Sequence, residues 1–207
     1  MTIPVPSPSP GSPADPLRSS VATDVVRDEV VLLDPDGTPA GTAARATVHD
    51  HDTPLHLAFS LHLIDADGRT LLTRRALDKR TWPGVWTNSC CGHPRPGEAP
   101  AAAARRRVAE ELGIEVTAPQ VVLPSFSYRA VDASGLVENE LCPVHVVAVD
   151  AAEIDAALRP DPREVAETAW VAWEDLHGAA VRAPMAFSPW VVDQLVALGP
   201  VPPTSAQ

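Results

Sequence analysis

Two glutamates, Glu138 and Glu140, stand two residues apart in an apolar run that reads as a β-strand, so both side chains leave the same face. Two carboxylates on one buried face repel, and either one of them holds a proton or a cation sits between them. Cys91 and His93 repeat that spacing in a stretch dense in Trp, Pro and Gly, which in an extended chain aims a thiol and an imidazole the same way. His56 lies on the face of its strand opposite a row of leucines, and His49 precedes it within reach if the chain curls. His49, His56, His93, Glu138 and Glu140 form a candidate five-ligand site, with His51, which also lies just before His56, as the competitor for the place of His49. Three imidazoles with two carboxylates suit Mn²⁺, Zn²⁺ or Mg²⁺, and imidazole favours the transition metals. His51, His62, His145 and His177 have no motif around them and read as ordinary polar residues. Cys90 and Cys142 read as small buried apolar side chains.

A second pattern runs Gly92-x5-Glu98-x7-Arg106-Arg107-Val108-Ala109-Glu110-Glu111-Leu112-Gly113-Ile114. It resembles the Nudix box, in which a loop, a helix and a loop project carboxylates toward a metal on a diphosphate. One fixed position departs: Arg107 stands where that family has Glu, which counts against ordinary Nudix hydrolysis. The stretch from Thr81-Trp82-Pro83-Gly84 through Asn88-Ser89-Cys90-Cys91-Gly92-His93-Pro94 is similar to the signature loop of type 1 isopentenyl-diphosphate isomerases. So are Glu138-Asn139-Glu140-Leu141-Cys142-Pro143 and Leu55-His56-Leu57-Ala58-Phe59-Ser60.

The resemblance implies an enzyme that interconverts isopentenyl and dimethylallyl diphosphate by moving a proton, with a Nudix hydrolase of a nucleoside or prenyl diphosphate as the alternative. It implies a metal on His49, His56, His93, Glu138 and Glu140, and Cys91 and Glu140 as the acid/base pair. Tyr128 then hydrogen-bonds within the site, and Trp190 turns its ring to a carbocation. Arg75 and Lys79, within the basic cluster Arg74, Arg75, Lys79 and Arg80, match phosphate-contacting positions, and Glu111 matches a residue that holds Mg²⁺ against the diphosphate.

These residues need elements to place them. Strands are expected over 26–34, 55–63, 70–75, 121–126, 137–149 and 165–171, with 55–63 and 70–75 forming a hairpin across Asp65-Ala66-Asp67-Gly68. Leu55, Leu57, Phe59, Leu61 and Leu63 share one face of their strand; His56, Ala58, Ser60 and His62 share the other. The stretch 77–98 reads as a long functional loop. Helices are expected from Pro100 to a stop at Gly113, over 150–158, and over 188–198. The fold class is α+β, with the α/β/α-like Nudix arrangement implied: a mixed sheet flanked by helices in one domain at 24–198, between a Pro-rich disordered tail at 1–23 and a short tail at 199–207.

Composition narrows the partners. A formal net charge of −11 argues against nucleic-acid and anionic-membrane surfaces. No apolar run is long enough to span a bilayer and no secretory signal is visible. Three cysteines are too few and odd for a disulfide framework, which fits a reducing cytoplasm; the resemblance implies a small-molecule diphosphate as substrate, and no obligate protein partner is expected.

Overall fold

The fold is built on two pairs of parallel strands that pass from one sheet into another at the same level. In chain order the strands are β1 (Glu29–Leu33), β2 (Pro39–Ala44), β3 (His56–Leu57), β4 (Phe59–Asp65), β5 (Arg69–Arg75), β6 (Trp86–Thr87) and β7 (Cys90–Gly92). Helix α1 (Pro100–Leu112) follows, then β8 (Gln120–Leu123), β9 (Ser127–Val131), β10 (Val137–Leu141) and β11 (Val144–Val149). The chain ends with α2 (Ala151–Ala157), β12 (Val165–Ala172), α3 (Trp173–Arg182) and α4 (Pro189–Leu198). This computed structural model describes residues 28–117 and 119–203, so the Pro-rich stretch 1–23 lies outside the described residues.

One sheet has the order β2-β1-β3-β10-β9 and the other β12-β5-β4-β11-β8, with β6 added to β5 and β7 to β4. The single strand expected over 55–63 is therefore two. β3 pairs with β10 in the first sheet and β4 with β11 in the second, the chain crossing over at Ala58. The run 137–149 divides likewise at Cys142 and Pro143, where proline cannot donate to a ladder. Backbone bonds from Ala58 N–H to the Leu141 carbonyl (2.9 Å) and from Ser60 N–H to the Pro143 carbonyl (3.1 Å) carry the pairing across the break.

The second sheet is covered on both faces. Phe59, Leu61 and Leu63, the predicted leucine face, pack with Leu71 against Ala103, Ala104, Val108 and Leu112 of α1. Across the sheet, Ile64, Leu72 and Val146 pack with Trp173 and Leu176 of α3 and Trp190, Val191 and Leu195 of α4. Each large apolar side chain removed from water contributes about 1.5–3 kcal/mol before entropy is counted. Helix α1 begins at Pro100 and ends at Gly113, whose φ of +69° places it in the left-handed region. A Cβ there would come within 2.9 Å of the Arg159 carbonyl oxygen, so glycine is required twice over.

Helix α3, strands β2 and β9, and the two short strands inside 77–98 have no counterpart among the expected elements. Helix α3 buries Trp173, Leu176 and Ala180 on one stripe and carries Glu174 and Asp175 in its first turn and Arg182 in its last, which complements its dipole. The C-terminal segment runs against the body: Gly199 accepts the Trp173 indole N–H at 2.9 Å.

The polar face of β4 is not exposed. His62 is fully buried and its Nε2 lies 3.1 Å from Gln194 Oε1 of α4, which fixes Nε2 as the donor. Burial pushes this imidazole from its ordinary 6.5 down to about 4, the Gln194 bond opposing only in part. Between those values the unfolded chain binds a proton that the folded chain refuses, so stability present above pH 6.5 falls as the pH falls toward 4. In His62→Gln the loss of unfolding free energy between pH 7 and pH 5 should shrink by about 1–2 kcal/mol. Urea titrations at the two pH values measure it, and an unchanged difference would mean that the ring is not held neutral.

Candidate active site

The level at which the strands change sheets is where the candidate residues meet. Parallel pairing sets Glu140 of β10 opposite His56 of β3, and antiparallel pairing sets Tyr128 of β9 opposite Glu140. On the second sheet Cys91 of β7 lies opposite Ser60 of β4. All the candidate side chains named from the sequence line one cavity of about 450 Å³ except His56, which is fully buried behind it.

His49, His56, His93 and Glu140 bring one donor atom each within 4.8 Å of one another. Glu140 Oε1 is 3.0 Å from His93 Nε2, 3.5 Å from His56 Nε2 and 3.8 Å from His49 Nε2. His56 Nδ1 donates to the Pro54 carbonyl at 2.9 Å, so its Nε2 presents a lone pair, and that nitrogen faces His93 Nε2 at 3.2 Å. His49 Nε2 is buried without a hydrogen-bond partner. Lone pairs converging on one buried point, with an orphaned nitrogen among them, fit a cation that takes imidazole nitrogen and carboxylate oxygen. Burial alone would raise the Glu140 carboxyl, but its three imidazole neighbours outweigh it and hold the group well below the usual carboxylate range. Burial pushes His93 down to about 4, against the pull of Glu140.

Glu138, the fifth expected ligand, stands beside this group rather than in it. Its Oε1 accepts from Thr81 Oγ1 at 2.6 Å and its Oε2 lies 2.8 Å from Tyr128 Oη, which is also 2.8 Å from Glu140 Oε2. One hydroxyl proton serves one carboxylate at a time, so a second positive charge is needed between them, either a proton or a metal. Burial and the neighbouring Glu140 both raise Glu138, which makes it the partner that takes the proton. Cys91 borders the same space; burial pushes its thiol up to about 12, with Arg75 opposing.

Trp190 stands at the N-terminus of α4 with its ring 5.5 Å from those of Trp82 and Tyr128 and 5.5 Å beneath the Arg75 guanidinium. Trp82 has φ +43°, an uncommon conformation for a bulky residue, and Arg75 Nε holds its carbonyl at 3.1 Å. Lys79 pairs with Glu164, and Arg107 pairs with Glu111 and lies 3.4 Å from Glu164. Arg74 turns away to Glu167 at 2.7 Å, so the basic cluster seen in the sequence divides between two faces of β5. Burial raises Glu111 while Arg107 works in the opposite direction.

The sequence reading did not single out Thr81, Asn88 or Arg107 as parts of the site. Arg107 was visible only as a lost carboxylate, although a guanidinium at that position faces the same cavity as Arg75 and Lys79. Thr81 and Asn88 fall inside the signature-like stretch, but their types and spacing alone name no role, which comes from bonds to residues far along the chain.

The NUDIX domain family model matches residues 54–191. The chain is 59% identical to the isopentenyl-diphosphate Delta-isomerase of Frankia alni, over 89% of this chain and 92% of that one. It is 54% identical to the protein of the same name from Cutibacterium acnes, over 84% and 88% of the two chains. Among solved structures, one from Deinococcus radiodurans superposes with a TM-score of 0.62 at 19% identity, covering 82% of this chain and 98% of that one. A MutT protein from Methanosarcina mazei Go1 gives 0.56 at 21% identity, covering 70% and 92%. The structural likenesses carry the fold alone, whereas the sequence identities reach further: the chain belongs to the NUDIX domain family and, within it, to the isopentenyl-diphosphate Delta-isomerases.

Proposed function

We propose that the chain interconverts isopentenyl and dimethylallyl diphosphate with Cys91 and Glu140 as its proton-carrying pair. The observation that carries the assignment is the shared cavity, which brings thiol, carboxylate, phenol and indole together beside a set of arginines. In the forward direction one member of the pair delivers a proton to the terminal CH₂ carbon, and the double-bond electrons form the new C–H bond. The positive charge left on the tertiary carbon is discharged when the other member removes a proton from the CH₂ group on the diphosphate side, and those electrons become the new double bond. No proton is gained or lost overall, and the reverse reaction exchanges the two roles.

Tyr128 holds the Glu140 carboxylate through its hydroxyl, and Trp190 turns an indole face toward the cation, worth about 0.5–2 kcal/mol. The apolar ring wall around Trp190 also keeps water from the cation. Arg75 and Lys79 bind the diphosphate, Arg as a fork and Lys as a point charge. His49, His56, His93 and Glu140, with Glu138 beside them, would hold Mn²⁺ or Zn²⁺, and such an ion would supply the positive charge that lets the paired carboxylates stay ionised. Glu111, now paired with Arg107, would offer a hard oxygen to Mg²⁺, whose charge would offset that of the diphosphate.

Hydrolysis of a diphosphate is the second reading, because Glu98 before α1 and Glu110 and Glu111 on it keep Nudix spacing. Against it, Arg107 ties up Glu111, and Glu98 is held by Arg106 through Nε and Nη2 at 2.8 and 2.7 Å. Hydrolysis also leaves Cys91 without a task.

Proton NMR of isopentenyl diphosphate in D₂O with the protein, Mg²⁺ and Mn²⁺ should show dimethylallyl signals and deuterium incorporation; released phosphate with an unchanged alkene would favour hydrolysis. Cys91→Ala and Glu140→Gln should each lower kcat by about 10²–10⁴-fold with the fold retained by circular dichroism. Turnover near that of the wild type in either variant would remove it from the proton path. Mn²⁺ or Zn²⁺ at about 100 times its Kd should add about 2.7 kcal/mol to the stability of chelator-treated protein, and His56→Ala should abolish the gain. Calorimetry reads this without reference to activity, and an equal gain in the variant would place the ion elsewhere.

A further inference from the structure

The turn between β6 and β7 contains a side chain that the mechanism above does not use. Asn88 is fully buried, and its amide makes four bonds to four different places. Its Nδ2 donates to the Leu61 carbonyl of β4 at 3.1 Å and to the Cys90 carbonyl at 2.6 Å. Its Oδ1 accepts from Thr87 Oγ1 at 2.8 Å and from Trp190 Nε1 at 3.2 Å. Two donors and two acceptor sites are the whole capacity of the group, so every one is filled and the amide has one orientation: reversed, its NH₂ would face the indole and hydroxyl donors.

The bonds link the two side chains that must face the same few carbon atoms. One goes to the carbonyl joined to Cys91, another to the indole of Trp190. Neighbouring contacts continue the link. Ser188 N–H donates to the Trp86 carbonyl at 2.9 Å, and the Ser188 hydroxyl lies 2.8 Å from Thr87 Oγ1. Thr87 gives its proton to Asn88, so Ser188 donates to Thr87. Ser188 sits at the N-cap of α4 yet makes no side-chain capping bond there; its hydroxyl is spent on β6 instead. The rest of the indole touches Trp82, Tyr128 and Arg75 through ring faces and edges. Those contacts are tolerant of rotation, so the Nε1–H bond is what fixes the ring in its plane.

We propose that Asn88 is a positioning residue for the isomerisation, the amide that sets the Cys91 strand and the Trp190 ring at a fixed mutual distance and angle; the proposal rests on the roles given to those two side chains. A proton donor or acceptor and a cation-facing ring contribute only while both remain aligned on the reacting carbons, and a displacement near 1 Å can cost about a hundredfold in rate. The diphosphate is anchored by Arg75 and Lys79; Arg75 lies over the Trp190 ring but is held by its own bonds to the Thr81 and Trp82 carbonyls, so substrate affinity is largely independent of Asn88.

Steady-state kinetics on Asn88→Ala, beside Cys91→Ala in the same assay, test it. Asn88→Ala should lose about ten- to a hundredfold in kcat with KM changed by less than about threefold. It should also bind a tertiary-ammonium diphosphate, whose charged nitrogen sits where the cation forms, more weakly by a similar factor while inorganic diphosphate inhibits as before. Thr87→Val removes one bond to the same oxygen and carries the test if Asn88→Ala does not fold, with a kcat loss of about three- to tenfold expected. Wild-type kcat in the folded variant, or equal weakening of both inhibitors, overturns the positioning role. An active Cys91→Ala overturns instead the acid/base reading on which it depends; an inactive one beside a fully active Asn88→Ala overturns the positioning role alone.

Discussion

The parallel pairing of β3 with β10, in register at His56 and Glu140, is the constraint on which the reactive end depends. Neither strand is long, and both leave their sheet within two residues of that pair. Where two sheets part, the strand ends no longer pack against a neighbouring layer, and side chains at that level face a gap. The gap is where three imidazoles and a carboxylate converge. A slip of one residue would put Asn139 opposite His56 and turn both glutamates to the other face. The ladder bonds through Ala58 and Pro143 prevent it, because they tie the continuation of each strand to the same partner in the second sheet.

Basic side chains gather at the cavity, facing a nearly equal number of acidic ones. The sequence carries a net −11, yet the cavity wall includes Arg45, Arg75, Lys79, Arg106 and Arg107. Several of these are engaged: Lys79 and Arg107 with Glu164, Arg107 with Glu111, and Arg106 with Glu98. Such pairs keep buried cations compensated until an anion arrives, and a diphosphate offers the same guanidinium groups more oxygens in the same geometry. The replacement of a Nudix carboxylate by Arg107 therefore changes what α1 does. It adds an anion-facing guanidinium to the helix, beside the Glu111 carboxylate that lines the same cavity.

Much of this was legible in the chain. The two-residue spacing of Glu138 and Glu140 placed both on one face, and Pro100 and Gly113 marked the ends of α1. The leucine face of β4 was legible as well, since alternation reports which way a side chain points. It does not report which sheet the strand joins, and the pattern continues unbroken through Ala58, so the break there was hidden; Pro143 was the clearer signal. His62 read as an ordinary polar residue and is instead fully buried, because α4 covers that face with Gln194, 132 residues further on. The crowding of His49, His56 and His93 around Glu140 followed from spacing and resemblance together, whereas the separate hydrogen bonds of Glu138 to Thr81 and Tyr128 depend on a loop whose path the sequence does not encode locally.

Polar groups are buried here in two physically different ways, and the difference divides the labour of the site. Around Glu140 the buried groups are ionisable, and their balance changes with every proton or cation that enters. Around Asn88 they are neutral: an amide, two hydroxyls and an indole N–H, each donor matched to an acceptor. The line from His62 through Gln194 to Ser60 is neutral as well, with only the His62 Nδ1 lone pair left without a partner: Gln194 Nε2 donates to Ser60 Oγ at 2.8 Å and ties α4 to β4 a second time. A neutral, saturated network in a low-dielectric interior is stiff and keeps its shape as long as its members stay neutral. Charge can then be rearranged at one end of the cavity while the Cys91 strand and the Trp190 ring keep their places, which is what a reaction that moves a proton without net change of charge requires of its framework.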